Sequence, residues 1–254
     1  MTRIFDTPTP ATGLAIGTFA AVPYVHLALE SRRRNYPHVP VLVHDDASGK
    51  ASELRDLCGE YGAEFHSAGE PLGIQFGDMS SCAQGLDWAR RRGLELLAKM
   101  SRRFIPLYDW TAELGALAWE SQYATFGQRC MHYDFGLRSE CVGFHVGAWA
   151  RECVLRRMHA FVTEKNPTWV EYFLHDLARE LHQSACEANR IFERANPRPE
   201  AANAYGVWRI MPNRRIAKSD RILWHNCDRP ADYARTALLW GLPYRKRDFL
   251  RPNE

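Results

Sequence analysis

Val41-Leu-Val-His-Asp-Asp-Ala-Ser48 decides how this chain is read. An apolar run that ends in two adjacent aspartates and a serine predicts a strand buried on both faces, followed by a turn. The carboxyl edge of such a strand is where open α/β sheets receive ligands. Asp45 and Asp46 therefore stand where carboxylates can accept hydrogen bonds from a bound molecule.

The same alternation continues on both sides of this stretch. Upstream, Leu14–Ala21 predicts a first strand. Pro23 then opens a helix carrying Val25, Leu27, Ala28 and Leu29, which Asn35-Tyr-Pro37 stops. Downstream, Leu54, Leu57, Cys58 and Tyr61 form a helical stripe closed by Gly62, and Ala63–His66 is a short strand. Residues 71–77 are expected as a loop, with Ser80 or Ser81 capping a helix that carries Cys82, Leu86 and Ala89. Gly93 ends that helix, and Leu94–Lys99 follows as a strand. Repeated strand–helix–strand units of this length predict an α/β fold, a mainly parallel twisted sheet flanked by helices.

Beyond residue 105 the pattern loosens into a mixed α+β half. Asp109 is expected to cap a helix through Leu114, Leu117 and Ala118. Strands are expected at 129–135, 140–146, near 207–210 and at 222–225. Helices are expected at about 148–159, along the stripe Trp169, Val170, Phe173, Leu174, Leu177, Ala178 and Leu181, and at 231–240, with Asn196-Pro-Arg-Pro199 as a breaker. The expected organisation is a single domain, with residues 12–110 as one half and 111–254 as the other.

Composition excludes several classes. The 254 residues carry a net charge of +3, too small to imply a nucleic-acid partner. Basic runs at Arg32–Arg34, Arg90–Arg92, Arg102-Arg103, Arg214-Arg215 and 245–247 read mostly as solvated faces, and they leave peripheral contact with an anionic membrane open. Seven dispersed cysteines without a CxxC pair predict reduced thiols and a cytoplasmic location. No signal-peptide layout opens the chain, and no apolar stretch reaches the roughly 20 residues that span a bilayer. A GxGxxG after the first strand, a GxxxxGK[ST] loop and a GxSxG elbow are all absent.

Thr18 at the end of the first strand, His44-Asp-Asp-Ala-Ser48 after the second, and Gly77-Asp-Met-Ser-Ser81 opening a helix resemble the GT-A fold glycosyltransferases. The likeness is to their large inverting group, which uses nucleotide-diphosphate sugars, and it covers roughly residues 12–110. It implies that Thr18, Asp45, Asp46 and Ser48 hold the nucleoside. Gly77 and Asp78 would then line the nucleotide and diphosphate.

The chain departs from that group at Lys99-Met-Ser-Arg-Arg103. There the family carries an Asp-x-Asp motif that holds a divalent ion, and here the same register has no carboxylate. A departing diphosphate needs its charge neutralised by a metal or by fixed cations. Arginine binds phosphate bidentately and lysine acts as a point charge. The resemblance therefore implies a metal-independent variant, with Lys99, Ser101, Arg102 and Arg103 on the diphosphate. No cofactor is expected, and a divalent ion is left open.

In the same group an acidic residue opening a helix deprotonates the acceptor hydroxyl. Glu171 matches that order, with Asp134, Glu140 and His145 in reserve. The helix's positive end is expected to keep Glu171 ionised and its pKa low, which weakens a base. His225, closing the apolar run from Ile222, is a candidate phosphate contact, although a lone histidine is more often structural. Trp110, Trp149 and Trp208 suit sugar stacking or simply the core.

The implied activity is transfer of a sugar from a nucleotide-diphosphate donor to a hydroxyl of a glycan or lipid-linked acceptor. The alternative is a non-catalytic nucleotide- or glycan-binding protein, or a subunit of a larger complex. A nucleotidyltransferase should carry a glycine- and lysine-rich loop after the first strand, and that loop is absent.

Overall fold

The computed structural model describes residues 10–120, 123–127, 137–188, 206–208, 221–224 and 228–250. The alternation read from the sequence is present. β1 (Thr12–Thr18), α1 (Val22–Asn35), β2 (Val41–Asp45), α2 (Ala51–Glu60), β3 (Glu64–Ser67), α3 (Ile74–Arg91) and β4 (Leu96–Ser101) follow one another. β3, β2, β1 and β4 lie side by side and parallel, with Thr18 opposite Asp45 and Gly17 opposite both His44 and Ser101.

The second half extends this sheet. After β5 (Phe104–Pro106) and α4 (Thr111–Glu120) come β6 (Thr125–Gly127) and β7 (Cys141–His145). β7 runs antiparallel to β4, with Met100 opposite Cys141, and also antiparallel to β6. α5 (Val146–Trp149), α6 (Glu152–Thr163), α7 (Val170–Ala188), β8 (Gly206–Val207), β9 (Ile222–Trp224) and α8 (Pro230–Leu239) follow, then a 3-10 turn at Lys246–Phe249. The sheet order is β3-β2-β1-β4-β7-β6-β8, and β5 pairs with β9 in a separate antiparallel ribbon.

Helices cover both faces, which is why the strands read as unbroken apolar runs. Leu14, Ile16, Val41, Val43, Ala98 and Met100 pack toward α1 and α2. Ala15, Leu42 and Leu97 pack toward α3, α6 and α7. Each large aliphatic side chain removed from water here contributes about 1.5–3 kcal/mol. α3 lies close on β1 because small residues meet there: a Cβ on Gly85 would come within 2.8 Å of the Ala15 Cβ. α7 buries Val170, Leu174, Leu177, Ala178 and Leu181, a helical stripe that seats its first turn beside β7.

Several expected boundaries shift. α3 begins at Ile74, inside the stretch expected as a loop, because Gly73 takes a left-handed φ of 84° and its N–H is held by Asp46 from across the chain. Ser81 is consequently mid-helix and buried rather than a cap. β4 starts at Leu96, since Gly93 (φ 68°) and a Leu94 N–H bond to the Ala89 carbonyl still belong to the end of α3. The helix expected at 148–159 is broken into α5 and α6 where Arg151 is extended. Asp109 does cap α4, accepting the Thr111 N–H at 3.0 Å. The strand expected at 129–135, the breaker at Asn196–Pro199, Asp134 and His225 all lie outside the described residues.

Candidate functional site

The carboxyl ends of β1, β2 and β4 meet at one edge of the sheet, and the sequence-derived residues gather there. The turns leaving β1 and β2 are each bent through a non-glycine residue in the left-handed region, Ala20 (φ 51°) and Ala47 (φ 50°). Such a conformation costs an L-residue roughly 1–2 kcal/mol. Strain of this kind is retained where the surroundings demand a particular chain path, commonly at functional sites.

Each residue at the end of β2 serves a distinct partner. The Asp45 carboxylate is fully buried, and its Oδ2 accepts the Ser48 N–H at 2.8 Å, closing the turn. Asp46 reaches the other way, its two oxygens accepting the Leu72 and Gly73 N–H groups at 2.9 Å each. It thereby fastens the β3–α3 loop and caps α3. Gly77 is the residue that lets Asp46 in, because a Cβ there would stand 2.9 Å from Asp46 Oδ2. Ser48 is buried, and its Oγ accepts the Lys50 N–H at 3.3 Å. Thr18 lies opposite Asp45 and accepts the Asp46 N–H on its carbonyl.

Lys99 differs from its expected placement. It does not present a charge at the strand edge. Its side chain is 0% exposed, with Nζ donating to Asp78 Oδ1 at 2.7 Å and to the Ser139 carbonyl at 2.8 Å. β4 turns this residue toward α3, where Asp78 meets it one turn into the helix. Burial pushes the ammonium pKa down, but the neighbouring Asp78 carboxylate, with Cys82 and Glu171, leaves it raised, so Lys99 is charged at neutral pH. Asp78 is thus an internal counter-ion in this form.

Arg102 and Arg103 form the tight turn between β4 and β5 and are half-buried. The Arg102 N–H bonds the Gly17 carbonyl at 3.0 Å, which ties this turn to β1. The Arg103 guanidinium lies 5.9 Å from the Tyr24 ring centroid, and its carbonyl accepts the Tyr233 hydroxyl at 2.6 Å. These two side chains, with Ser101, are the groups of the 99–103 segment that stand at the edge.

Glu171 closes the site from α7. Its Oε1 lies 3.3 Å from the Ser139 hydroxyl, which also donates to Asp78 Oδ2 at 2.8 Å. The Leu137 N–H bonds the Glu171 carbonyl at 3.1 Å, which pins the helix start to the segment entering β7. Contrary to the expected helix-dipole effect, the Glu171 pKa is raised, first by burial and then by Asp78 nearby, and these outweigh the hydrogen bonds that favour the carboxylate. Glu140 is raised for the same leading reason while paired with Arg138 at 2.9 Å. His145 lies at the far end of β7, its pKa lowered by burial.

Sequence reasoning missed Arg138 and Ser139. Both are buried, Arg138 with its guanidinium 4.9 Å from the Trp224 ring centroid. The only local signal was their place just before a strand. Trp169, expected in the apolar stripe of α7, is instead half-exposed just before that helix, and Ile74, exposed at the start of α3, was missed; here Gln75 Nε2 bridges to the Thr168 carbonyl at 2.6 Å. Trp110, Trp149 and Trp208 are core residues, at most 1% exposed.

Among the polar atoms at this edge that are buried with no hydrogen-bond partner among the described residues are Thr18 Oγ1, Asp45 Oδ1, Ser101 Oγ, Arg103 Nε and Glu171 Oε2. A cleft of about 500 Å³ lies at the opposite edge, by Pro10, His38, Pro40 and Asp109, away from this cluster. Among the described residues no group of three or more His, Cys, Asp or Glu side chains is arranged to hold a metal ion, and no helix is long and apolar enough to cross a membrane.

No protein-family model and no curated protein sequence matches the chain. Solved structures do. The glycosyltransferase GlyE of Streptococcus pneumoniae TIGR4 is 13% identical with a TM-score of 0.46, the match covering 79% of this chain and 45% of that one. S. aureus TarS, residues 1–349, is 10% identical with a TM-score of 0.42, covering 55% of this chain and 48% of that one. A cytidylyltransferase from Leptospira borgpetersenii serovar Hardjo-bovis is 9% identical with a TM-score of 0.43, covering 80% and 76%. The chain thus spans less than half the length of the GlyE and TarS chains.

Proposed function

We propose that this chain is a nucleotide-diphosphate-sugar glycosyltransferase, inverting and metal-independent, acting in the cytoplasm on a hydroxyl of a glycan or lipid-linked acceptor. The observation that carries the reading is the gathering of buried, unpartnered polar atoms, Thr18 Oγ1, Asp45 Oδ1, Ser101 Oγ, Arg103 Nε and Glu171 Oε2 among them, at the carboxyl edge of the parallel strands. Leaving such a group unsatisfied costs about 1–3 kcal/mol each. Fold stability alone gives no reason to keep several at one edge, whereas a ligand that completes them does.

In this reading Thr18 and Asp45 receive the nucleoside, with Asp46, Ser48 and Gly77 holding the turn and loop that shape its pocket. Arg102 and Arg103 stand by the diphosphate, and Lys99 keeps Asp78 in place rather than touching the donor. The acceptor oxygen attacks the anomeric carbon while Glu171 takes its proton. The bond from that carbon to the diphosphate oxygen breaks, and the arginines stabilise the departing anion. Raised proton affinity suits Glu171 to this role, because a base works best when its pKa lies nearer the operating pH.

The test is consumption of a panel of nucleotide-diphosphate sugars in excess EDTA. Turnover should persist, and Arg102→Ala should mainly lower kcat. Activity that vanishes with EDTA and returns with manganese would exclude the metal-independent mechanism. The burial of Asp45, Asp46 and Lys99 among internal partners also favours a second reading, a binding protein without turnover. Calorimetry that detects nucleotide diphosphates where no donor is consumed would select it.

A further inference from the structure

The Ser139 hydroxyl sits between two carboxylates, 2.8 Å from Asp78 Oδ2 and 3.3 Å from Glu171 Oε1. A hydroxyl carries one hydrogen, so it can donate to only one of them at a time. The other must then face its lone pairs. Ser139 is 1% exposed, which leaves little room for water to relieve that contact.

The two carboxylates are not equally dependent on the hydroxyl. Asp78 keeps a second donor, Lys99 Nζ, whichever way Ser139 points. The same ammonium grips the Ser139 carbonyl at 2.8 Å, so the backbone is held and rotation is confined to the hydroxyl. Glu171 Oε2 has no partner among the described residues. When Glu171 carries a proton, Oε1–H donates to Ser139 Oγ and Oγ–H donates to Asp78, giving a continuous chain back to Lys99. When Glu171 is ionised, the hydroxyl turns to it and Lys99 alone holds Asp78.

We propose that Ser139 is a positioning residue whose hydroxyl swings between Asp78 and Glu171 as Glu171 gains or loses a proton, with Lys99 releasing it to do so. This rests on the assignment of Glu171 as the acceptor-side base. The charged and titratable groups around it come from each packed element: Asp78 from α3, Lys99 from β4, Arg138 and Glu140 from the turn before β7, and His175 one turn further along α7. The two cations Lys99 and Arg138 face three carboxylates, Asp78, Glu140 and Glu171. These five groups sum to zero charge when Glu171 is protonated and to one excess negative charge when it is not. Burial of Glu171 and the proximity of Asp78 both favour the protonated form, whereas the N–H at the start of α7, the Ser139 hydrogen bond and the Lys99 charge favour the carboxylate. Ser139 is thus one of the groups that keep the base available for ionisation in surroundings that oppose it.

The experiment is a carboxyl ¹³C NMR titration of the full chain labelled at Asp and Glu, with Glu171→Gln to assign the resonance. Ser139→Ala should move the Glu171 midpoint upward by about one pH unit, the equivalent of losing one hydrogen bond to a charged group. Ser139→Thr, which keeps the hydroxyl, should restore it. Should the alanine variant not fold, Ser139→Cys, a weaker donor, should give a smaller shift in the same direction. A midpoint unchanged in the folded variant, or a threonine variant that behaves like alanine, overturns the proposal. Donor consumption is followed in parallel. A shifted midpoint with no turnover of any donor leaves the switch standing and removes the glycosyltransferase reading. Turnover with an unmoved midpoint removes the switch alone.

Discussion

Replacing Lys99 by methionine separates an internal counter-ion from a ligand-binding cation. Methionine has similar length and fills the space, so packing changes little and the loss is electrostatic. Breaking a buried ion pair by removing one partner costs about 3–5 kcal/mol, because the remaining charge is stranded. The Asp78 side chain is 24% exposed and keeps the Ser139 hydroxyl, so water can reach it and the lower figure of about 3 kcal/mol applies. For a chain of this size that lowers Tm by about 6–12 °C. Asp78→Asn should be worse, since it strands a fully buried ammonium. The double variant should be less destabilised than the sum of the two, which a double-mutant cycle by chemical denaturation measures. If Lys99→Met loses under about 1 kcal/mol while nucleotide-diphosphate affinity collapses in calorimetry, Lys99 acts on the ligand and the internal assignment fails.

Glu171→Gln should raise Tm at neutral pH. A carboxylate whose folded pKa is raised lowers stability once pH climbs above its unfolded value, and the neutral amide escapes this; the gain should shrink as pH falls below about 4.5. An equal effect at pH 4 and pH 7 would contradict it. His44 and His66 stack with their Nδ1 atoms 2.9 Å apart, and burial pushes the His44 pKa down to about 4. The fold should therefore lose stability as pH drops from about 6.5 toward 4. Thermal denaturation across that window should show a flatter profile for His44→Gln, and an unchanged slope would acquit the pair. Gly77→Ala should displace Asp46 from the Leu72 and Gly73 N–H groups. Alanine gains about 1 kcal/mol of helix propensity, but unsatisfying Asp46 costs about 1–3 kcal/mol. Hydrogen exchange at residues 72 and 73 should accelerate, and unaltered protection would show that Asp46 can yield without releasing the loop.

The sheet was legible because burial on both faces writes itself into composition: runs such as Val41–Val43 and Leu96–Ala98 are apolar throughout, and glycines mark the ends of α2 and α3. The residues of the candidate site were legible as positions but not as partnerships. Lys99 stands in the register expected for it, yet its fate depends on Asp78, 21 residues away in sequence, and on the Ser139 carbonyl, 40 residues away. No local pattern encodes such a meeting. The start of α3 was misread for the same reason, since its N-cap Gly73 is held by Asp46 at the end of β2 and not by a residue of its own segment. Glu171 was expected to feel its helix. The N–H at the helix start does favour its carboxylate, but the burial and the Asp78 carboxylate that the tertiary fold places around it leave the pKa raised.

β7 is the strand that runs backwards beside β4, and its direction divides labour within the molecule. β1, β2 and β4 contribute to the edge by their outgoing connections. β7 contributes by its incoming one, so Arg138, Ser139 and Glu140 arrive from a different part of the chain than Thr18, Asp45 and Arg103. The register against β4 is set within the strands, at Met100 and Cys141. Substitutions at Arg138, Ser139 or Glu140 can therefore alter this side of the candidate site without sliding any strand. A scaffold arranged this way can vary the side chains on one side of the site while leaving those on the other side intact.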